Sequence, residues 1–173
     1  TGLGVEVSDS LMFQRGGPTP SDPHMSHVYG LALPLLARGI PVLVASEASM
    51  EDLNGRMLAA GHAAVGIERF RPNVVLAGVG AHDEDRADLI RVDGGAEGEV
   101  HLQPVKPCAR CPIPNIDPAT AQSDPAVGDL LRTYRQDKRL DGAITFGMNA
   151  IVRQGAGQML RVGQRIVADL RFD

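Results

Sequence analysis

Apolar positions recur at two different periods along the 173-residue chain. Ile40-Pro41-Val42-Leu43-Val44-Ala45 is a short β-branched run, which predicts a buried strand. Met50, Leu53, Met57 and Ala60 follow at helical spacing. Ser49 is placed to cap that helix, Glu51 and Asp52 to sit in its first turn, and Gly61 to end it. Val74-Val75-Leu76-Ala77 predicts a second strand, with Pro72 just ahead of it because proline has no N–H for a ladder. Leu89–Val92 and Val100–Val105 predict two more, joined by a glycine-rich turn. Val127, Leu130, Leu131 and Tyr134 share one side of a second helix, which Asp124-Pro125 starts. Ala143–Val152 and Gln158–Leu170 read as a strand pair around Gly155-Ala156-Gly157. Leu3, Val5 and Val7 alternate as in a short strand, and Gly16 to Pro23 reads as loop. His82-Asp83-Glu84-Asp85-Arg86 reads as an exposed polar stretch.

Strands outnumber helices and no βαβ alternation runs through the chain, so the pattern predicts a mainly β, α+β barrel with helices in its connections. The length fits one domain, with residues 1–26 as a poorly defined leading segment and residues 27–173 as the domain. Starting without Met, the chain reads as a fragment or processed form. Apolar residues make up 43% and charged residues 22%, enough to build a core. A net charge of −4, 3% aromatics and no tryptophan argue against a phosphate-tracking or base-stacking surface, hence against nucleic acid as partner. No apolar run is long enough to span a bilayer and no signal peptide opens the chain. Two cysteines do not make a disulfide scaffold, so the expected compartment is the cytoplasm.

Chemistry concentrates at Cys108-Ala109-Arg110-Cys111, inside a segment from Lys106 to Pro118 whose four prolines forbid a regular helix. Four readings stay open there. Structural zinc needs four ligands and one C-x-x-C supplies two. A thioredoxin-type dithiol belongs at a helix N-terminus, whereas Pro112 and Pro114 follow here. Two buried thiols of no chemical role are common. The fourth reading is a single thiolate ligand for a metal brought in by a cofactor. Arg110 supplies the neighbouring cation that favours a thiolate, and the flanking prolines stiffen the loop. No glycine-rich fingerprint follows a strand, so no site for nicotinamide or flavin is expected.

Val105-Lys106-Pro107-Cys108-Ala109-Arg110-Cys111 with Asn115-Ile116-Asp117-Pro118-Ala119-Thr120 resembles the signature of the MOSC domain, named for the C-terminal part of molybdenum cofactor sulfurase. Ser46-Glu47-Ala48-Ser49 with Asp52-Leu53-Asn54, Phe70-Arg71-Pro72-Asn73, Glu84-Asp85, Tyr134-Arg135, Phe146-Gly147 and Leu160-Arg161-Val162-Gly163-Gln164 resemble further family blocks in the same order. Ala109 departs from the pattern, since relatives often carry Ser there. The nearest subgroup is the bacterial proteins related to the mitochondrial amidoxime-reducing component. The resemblance implies a β-barrel binding molybdenum cofactor, with Cys111 as the metal ligand and catalytic thiolate. It implies that Arg71, Asn73 and Arg110 contact the pterin or its phosphate, and that Ser46 and Glu47 line the pocket. It implies a small N-hydroxylated substrate and an external reductase or iron–sulfur protein as electron donor. The β-rich domain that usually precedes this one has no trace in the chain. Residue by residue, milder readings stand beside these: Ser49 as a helix cap, Asn73 as a turn residue, and Glu84 and Asp85 as a solvated acidic face. The alternative function is a persulfide-carrying or cofactor-transfer module, served by a pyridoxal-dependent desulfurase elsewhere. A C-x-x-C dithiol protein is the third.

Overall fold

The computed structural model describes residues 3–7 and 41–171 of the chain. The loop expected at residues 16–23 and the domain limit at residue 26 lie outside them. The elements are β1 (Leu3–Val7), β2 (Val42–Ser46), α1 (Glu47–Ala59), β3 (Val74–Ala77), β4 (Ala87–Val92), β5 (Val100–Ala109), α2 (Ala126–Tyr134), β6 (Gln136–Asp137), β7 (Ala143–Gln154) and β8 (Arg165–Leu170).

Hydrogen bonding runs β2-β3-β1-β8-β4-β5-β7, and β7 pairs back onto β2, so the sheet closes into a barrel. β2 and β3 are parallel; the other pairs of the ring are antiparallel. Closure removes the exposed edges that an open sheet would present. The mainly β, α+β barrel read from the pattern is the observed fold.

β2 shows how the apolar run was selected. Val42 and Val44 pack in the barrel interior with Val74, Leu76, Ile90, Leu102, Ala150 and Ile166. Ala45 belongs to a second cluster with Met50, Leu53 and Met57 of α1, Val127 and Leu131 of α2, Phe70 and Phe146. Successive residues of a strand face opposite ways. A strand covered by barrel on one face and helices on the other therefore has no position where a polar residue is cheap, and every residue of β2 is buried. Closure also demands Gly147. It sits at φ 74°, and a Cβ there would lie 2.5 Å from the carbonyl oxygen of Val44 on the neighbouring strand.

Three expectations need correction. The α1 cap is Ser46, whose Oγ accepts the Ser49 N–H at 3.1 Å; Glu47, rather than Glu51 and Asp52, is the acid in the first turn. Ser46 ends a strand with extended dihedrals (φ −122°, ψ 155°), the geometry a cap needs, so the helix starts three residues early. β7 and β8 are not a pair: β7 lies between β5 and β2, and β8 between β1 and β4. Their connection, 155–164, is too long for a tight hairpin turn, and Gly155 packs against Glu99 and Val100 at the start of β5. The polar stretch at 82–86 is not a wholly exposed one: Asp83 and Glu84 are buried, His82 and Asp85 half-buried, and only Arg86 is exposed. The β4–β5 hairpin is as expected.

Candidate functional site

β7 fixes which groups meet. Its Met148 pairs with Val44 of β2 on one side and Pro107 of β5 on the other. Both neighbours run antiparallel to β7, so both leave the barrel at the same end, two residues later, as Ser46 and Ala109. Two strand spacings separate them, about 10 Å. The start of α1 and the Arg110–Cys111 loop therefore share one rim.

The turn at Asp83–Arg86 touches β2, β5 and β7, and so lies across that end. Glu84 is 0% exposed, with Ser46 and Ser49 equally buried. Ser46 Oγ lies 2.9 Å from Glu84 Oε2, Ser49 Oγ donates to Oε1 at 2.6 Å, and the two hydroxyl oxygens are 2.7 Å apart. The His82 N–H donates to Ser49 Oγ at 2.8 Å, with His82 in the left-handed region at φ 62°. Arg135 Nη2 donates to Asp85 Oδ2 at 2.6 Å and its Nε to the Thr145 carbonyl. Asp83 accepts from Arg86 and from the Gly80 N–H. His82 Nε2 meets Asp52, which Arg56 also bonds from one turn along α1, and the Arg56 guanidinium lies 4.0 Å over the Tyr134 ring. Burial pushes the Tyr134 phenol up to about 12, so it stays neutral. The solvated acidic face expected at Glu84 and Asp85 is instead a buried network, because each carboxyl finds hydroxyls or a guanidinium at fixed distance. The available signal was the pair of serines in Ser46-Glu47-Ala48-Ser49: a helix start uses one hydroxyl as cap and leaves the other needing a partner.

The thiol loop is different. The Arg110 N–H donates to the Ile144 carbonyl at 2.8 Å, and β5 pairing ends there. Cys111 is exposed and Cys108 half-buried, and both are free thiols. The reading of two buried thiols therefore fails at Cys111. The Arg110 guanidinium turns to the other cysteine: Nη1 donates to Cys108 Sγ at 3.3 Å and Nη2 to the Phe70 carbonyl at 2.9 Å. Its Nε is buried without a hydrogen-bond partner. Beyond Cys111, a 3₁₀ turn at Ile113–Asn115 is stitched down. Arg69 donates to the Pro114 and Asn115 carbonyls and to Asp117, and the Asn115 side chain accepts the Gly128 N–H.

Other expected residues stand as follows. Arg71 follows Phe70 directly, is exposed, and holds φ 55°. Asn73 clamps the mouth of β2: its Oδ1 accepts the Leu43 N–H at 2.7 Å while its own N–H donates to the Leu43 carbonyl at 2.8 Å. Glu47 is the first residue of α1 and half-buried. The Phe70 carbonyl accepts from Arg110, so Arg71, next along the chain, lies near Arg110 in backbone position, and Cys111 follows Arg110. Asn73 lies a strand further round, level with Leu43. Among the described residues, no three His, Cys, Asp or Glu side chains converge as a metal site.

Fold and rim together define a class: a closed, mainly β barrel domain with two helices on its outer face and an exposed thiol and arginines at one end. The sequence profile of the MOSC domain matches residues 35–167, and the chain belongs to that family. It is 38% identical to mitochondrial amidoxime-reducing component 1 of Mus musculus over 96 residues, 55% of this chain and 26% of that protein. The human protein of the same name is 35% identical over 99 residues, 56% of this chain and 26% of that one. The Danio rerio protein is 32% identical over 130 residues, 73% of this chain and 36% of that one. The chain thus spans about a quarter to a third of the length of these relatives. Among the described residues no helix is long and apolar enough to cross a membrane.

Proposed function

We propose that this chain is the molybdenum-cofactor-binding domain of an oxidoreductase that reduces small N-hydroxylated compounds. The observation that carries this reading is the exposed, unpaired thiol of Cys111 on a braced loop, which follows Arg110 directly. Family membership and the names of the relatives support it. Among the described residues no second or third side-chain ligand accompanies Cys111, so the donor set suits a metal that arrives with its own organic ligand. An orphaned buried N–H at the same rim suits an anionic group.

In this reading Cys111 is the thiolate ligand and the catalytic thiol. Arg110, through Nε, and Arg71 hold the phosphate, for which a guanidinium offers paired donors. The Asn73 carboxamide oxygen is already used by Leu43, which leaves its nitrogen to donate to a pterin edge. Ser46 has its hydroxyl turned to Glu84, so its part is to fix where Glu47 and the first N–H groups of α1 stand along the opposite wall. When bound, the cofactor supplies a metal centre able to take oxygen from nitrogen. Electrons come from an external reductase or iron–sulfur protein, in the cytoplasm.

An exposed Cys111 also fits a persulfide carrier, and one experiment separates the two. The chain is produced in a host that makes the cofactor, and its molybdenum and its intact mass are measured. Near-stoichiometric molybdenum, lost in Cys111→Ser and kept in Cys108→Ser, is the expected result. A molybdenum-free chain with one extra sulfur on Cys111 overturns it in favour of sulfur transfer.

A further inference from the structure

The ring formed by Ser46, Ser49 and Glu84 holds one oxygen contact more than its hydroxyls can serve. The three O···O distances are 2.7, 2.9 and 2.6 Å, each within the range of an O–H···O hydrogen bond. All three residues are 0% exposed. Two hydroxyls carry two hydrogens. An ionised Glu84 adds none, and one contact would then set lone pair against lone pair in a buried site. A neutral carboxyl adds the third. Its O–H donates to Ser46, the Ser46 hydroxyl to Ser49, and the Ser49 hydroxyl to the carboxyl C=O. Each serine oxygen then accepts two hydrogens and donates one, because Ser46 also accepts the Ser49 N–H and Ser49 the His82 N–H.

We infer that Glu84 is held as a neutral carboxylic acid, and that in this form it is the positioning residue that pins the junction of β2 and α1, and with it Glu47, at the rim. The positioning half rests on the proposed cofactor reading; the protonation half does not. Burial pushes the Glu84 carboxyl up and Asp85 adds to this, while the serine hydroxyls and its own backbone N–H oppose. The charged neighbours are engaged with one another: Arg86 with Asp83, Arg135 with Asp85, and Arg56 and His82 with Asp52. Glu47 begins α1, whose N-terminus favours a charged acid, yet the charged form leaves the ring a hydrogen short.

The linkage has a definite sign. The folded state keeps a proton that the unfolded chain releases above the ordinary value of 4.5. This contribution is complete below that pH and is lost as pH rises through the native value. Glu84→Gln supplies the carbonyl acceptor and the N–H donor that the neutral acid would, with one further N–H, and does not titrate. Urea unfolding of the purified chain and of E84Q is compared from pH 5 upward, with infrared spectra of both. E84Q is expected to fold. The folding constant of the wild type relative to E84Q is expected to fall about tenfold per pH unit until Glu84 ionises. A protonated-carboxyl stretch should be present in the wild type and absent in E84Q. An E84Q that does not fold, a ratio flat with pH, or no such stretch overturns the protonation. Molybdenum content then tests positioning. E84Q should load like wild type and Glu84→Ala several-fold less, and equal loading of E84A overturns it. A wild type without molybdenum defeats the cofactor reading and the positioning with it, and leaves the protonation to be judged on pH and infrared alone.

Discussion

Asp83–Arg86 and Cys108–Asn115 lie at the same end of the barrel and divide the work of that end between them. Every residue of the first carries a charged side chain in sequence, yet its Glu84 is fully buried and its other acids are paired. The second is apolar and proline-rich, yet it leaves a thiol in water and a guanidinium nitrogen without a partner. Polar groups that satisfy one another can be buried, and they rigidify what they touch. An exposed thiol such as that of Cys111 is free for a ligand. The turn is the brace and the loop is the contact. If this is right, orphaning a charge in the turn should cost stability above all, and losing the Cys111 thiol should cost loading above all.

The largest stability loss is expected from Arg135→Leu. Asp85 has one oxygen on Arg135 and the other, Oδ1, buried without a partner. Removing the guanidinium leaves a largely buried carboxylate uncompensated, which typically costs about 3–5 kcal/mol. Urea midpoints at pH 7 would show it, and a loss below about 1 kcal/mol would mean that Asp85 is better solvated than its 23% side-chain exposure indicates. Arg135→Leu with Asp85→Asn should recover part of the loss, since the buried charge is gone.

Asn73→Ala comes next. It strips the acceptor from the Leu43 N–H at the mouth of β2, for about 1–3 kcal/mol. Asn73→Asp keeps an acceptor oxygen and loses the donor nitrogen. It should keep most of the stability while lowering molybdenum content, which separates the clamp from the proposed pterin contact. Equal loading of N73D and wild type would leave Asn73 as a clamp alone.

How much of this was legible follows from the same contrast. β2 and α1 were readable because their constraint is local: a both-sided strand needs an unbroken apolar run, and a helix on its face needs Met50, Leu53 and Met57 one turn apart. Closure of the barrel was readable as a class but not in its pairings. β7 and β8 look like a hairpin because nothing in either strand says that β2 and β5 will claim both edges of β7. Glu84 was illegible for a stronger reason. Its partners are 35 and 38 residues away, and without them the only sensible place for a carboxylate is water. The thiol loop stood out because C-x-x-C between prolines is rare chemistry, but Arg110 was expected to serve Cys111 and its guanidinium instead serves Cys108.

That misdirected arginine makes the last two predictions. Cys108→Ala removes the acceptor of Arg110 Nη1 and should cost about 1 kcal/mol; Cys108→Ser keeps a smaller acceptor and should cost less. Both should retain molybdenum while Phe70 still holds Nη2.

Cys111→Ser should have the smallest effect on folding and the largest on loading. Its thiol is exposed and free, so no cavity opens and no partner is orphaned, and the stability change should stay within about 0.5 kcal/mol. A serine hydroxyl is a far poorer anionic ligand than a thiolate at neutral pH, so the metal loses its protein bond. A chain that melts like the wild type but carries no molybdenum would show that the loop holds the metal and does not hold the barrel. If instead C111S is destabilised by several kcal/mol, the loop is part of the brace. The division of labour between turn and loop then fails, and with it the argument that exposure marks Cys111 as the ligand.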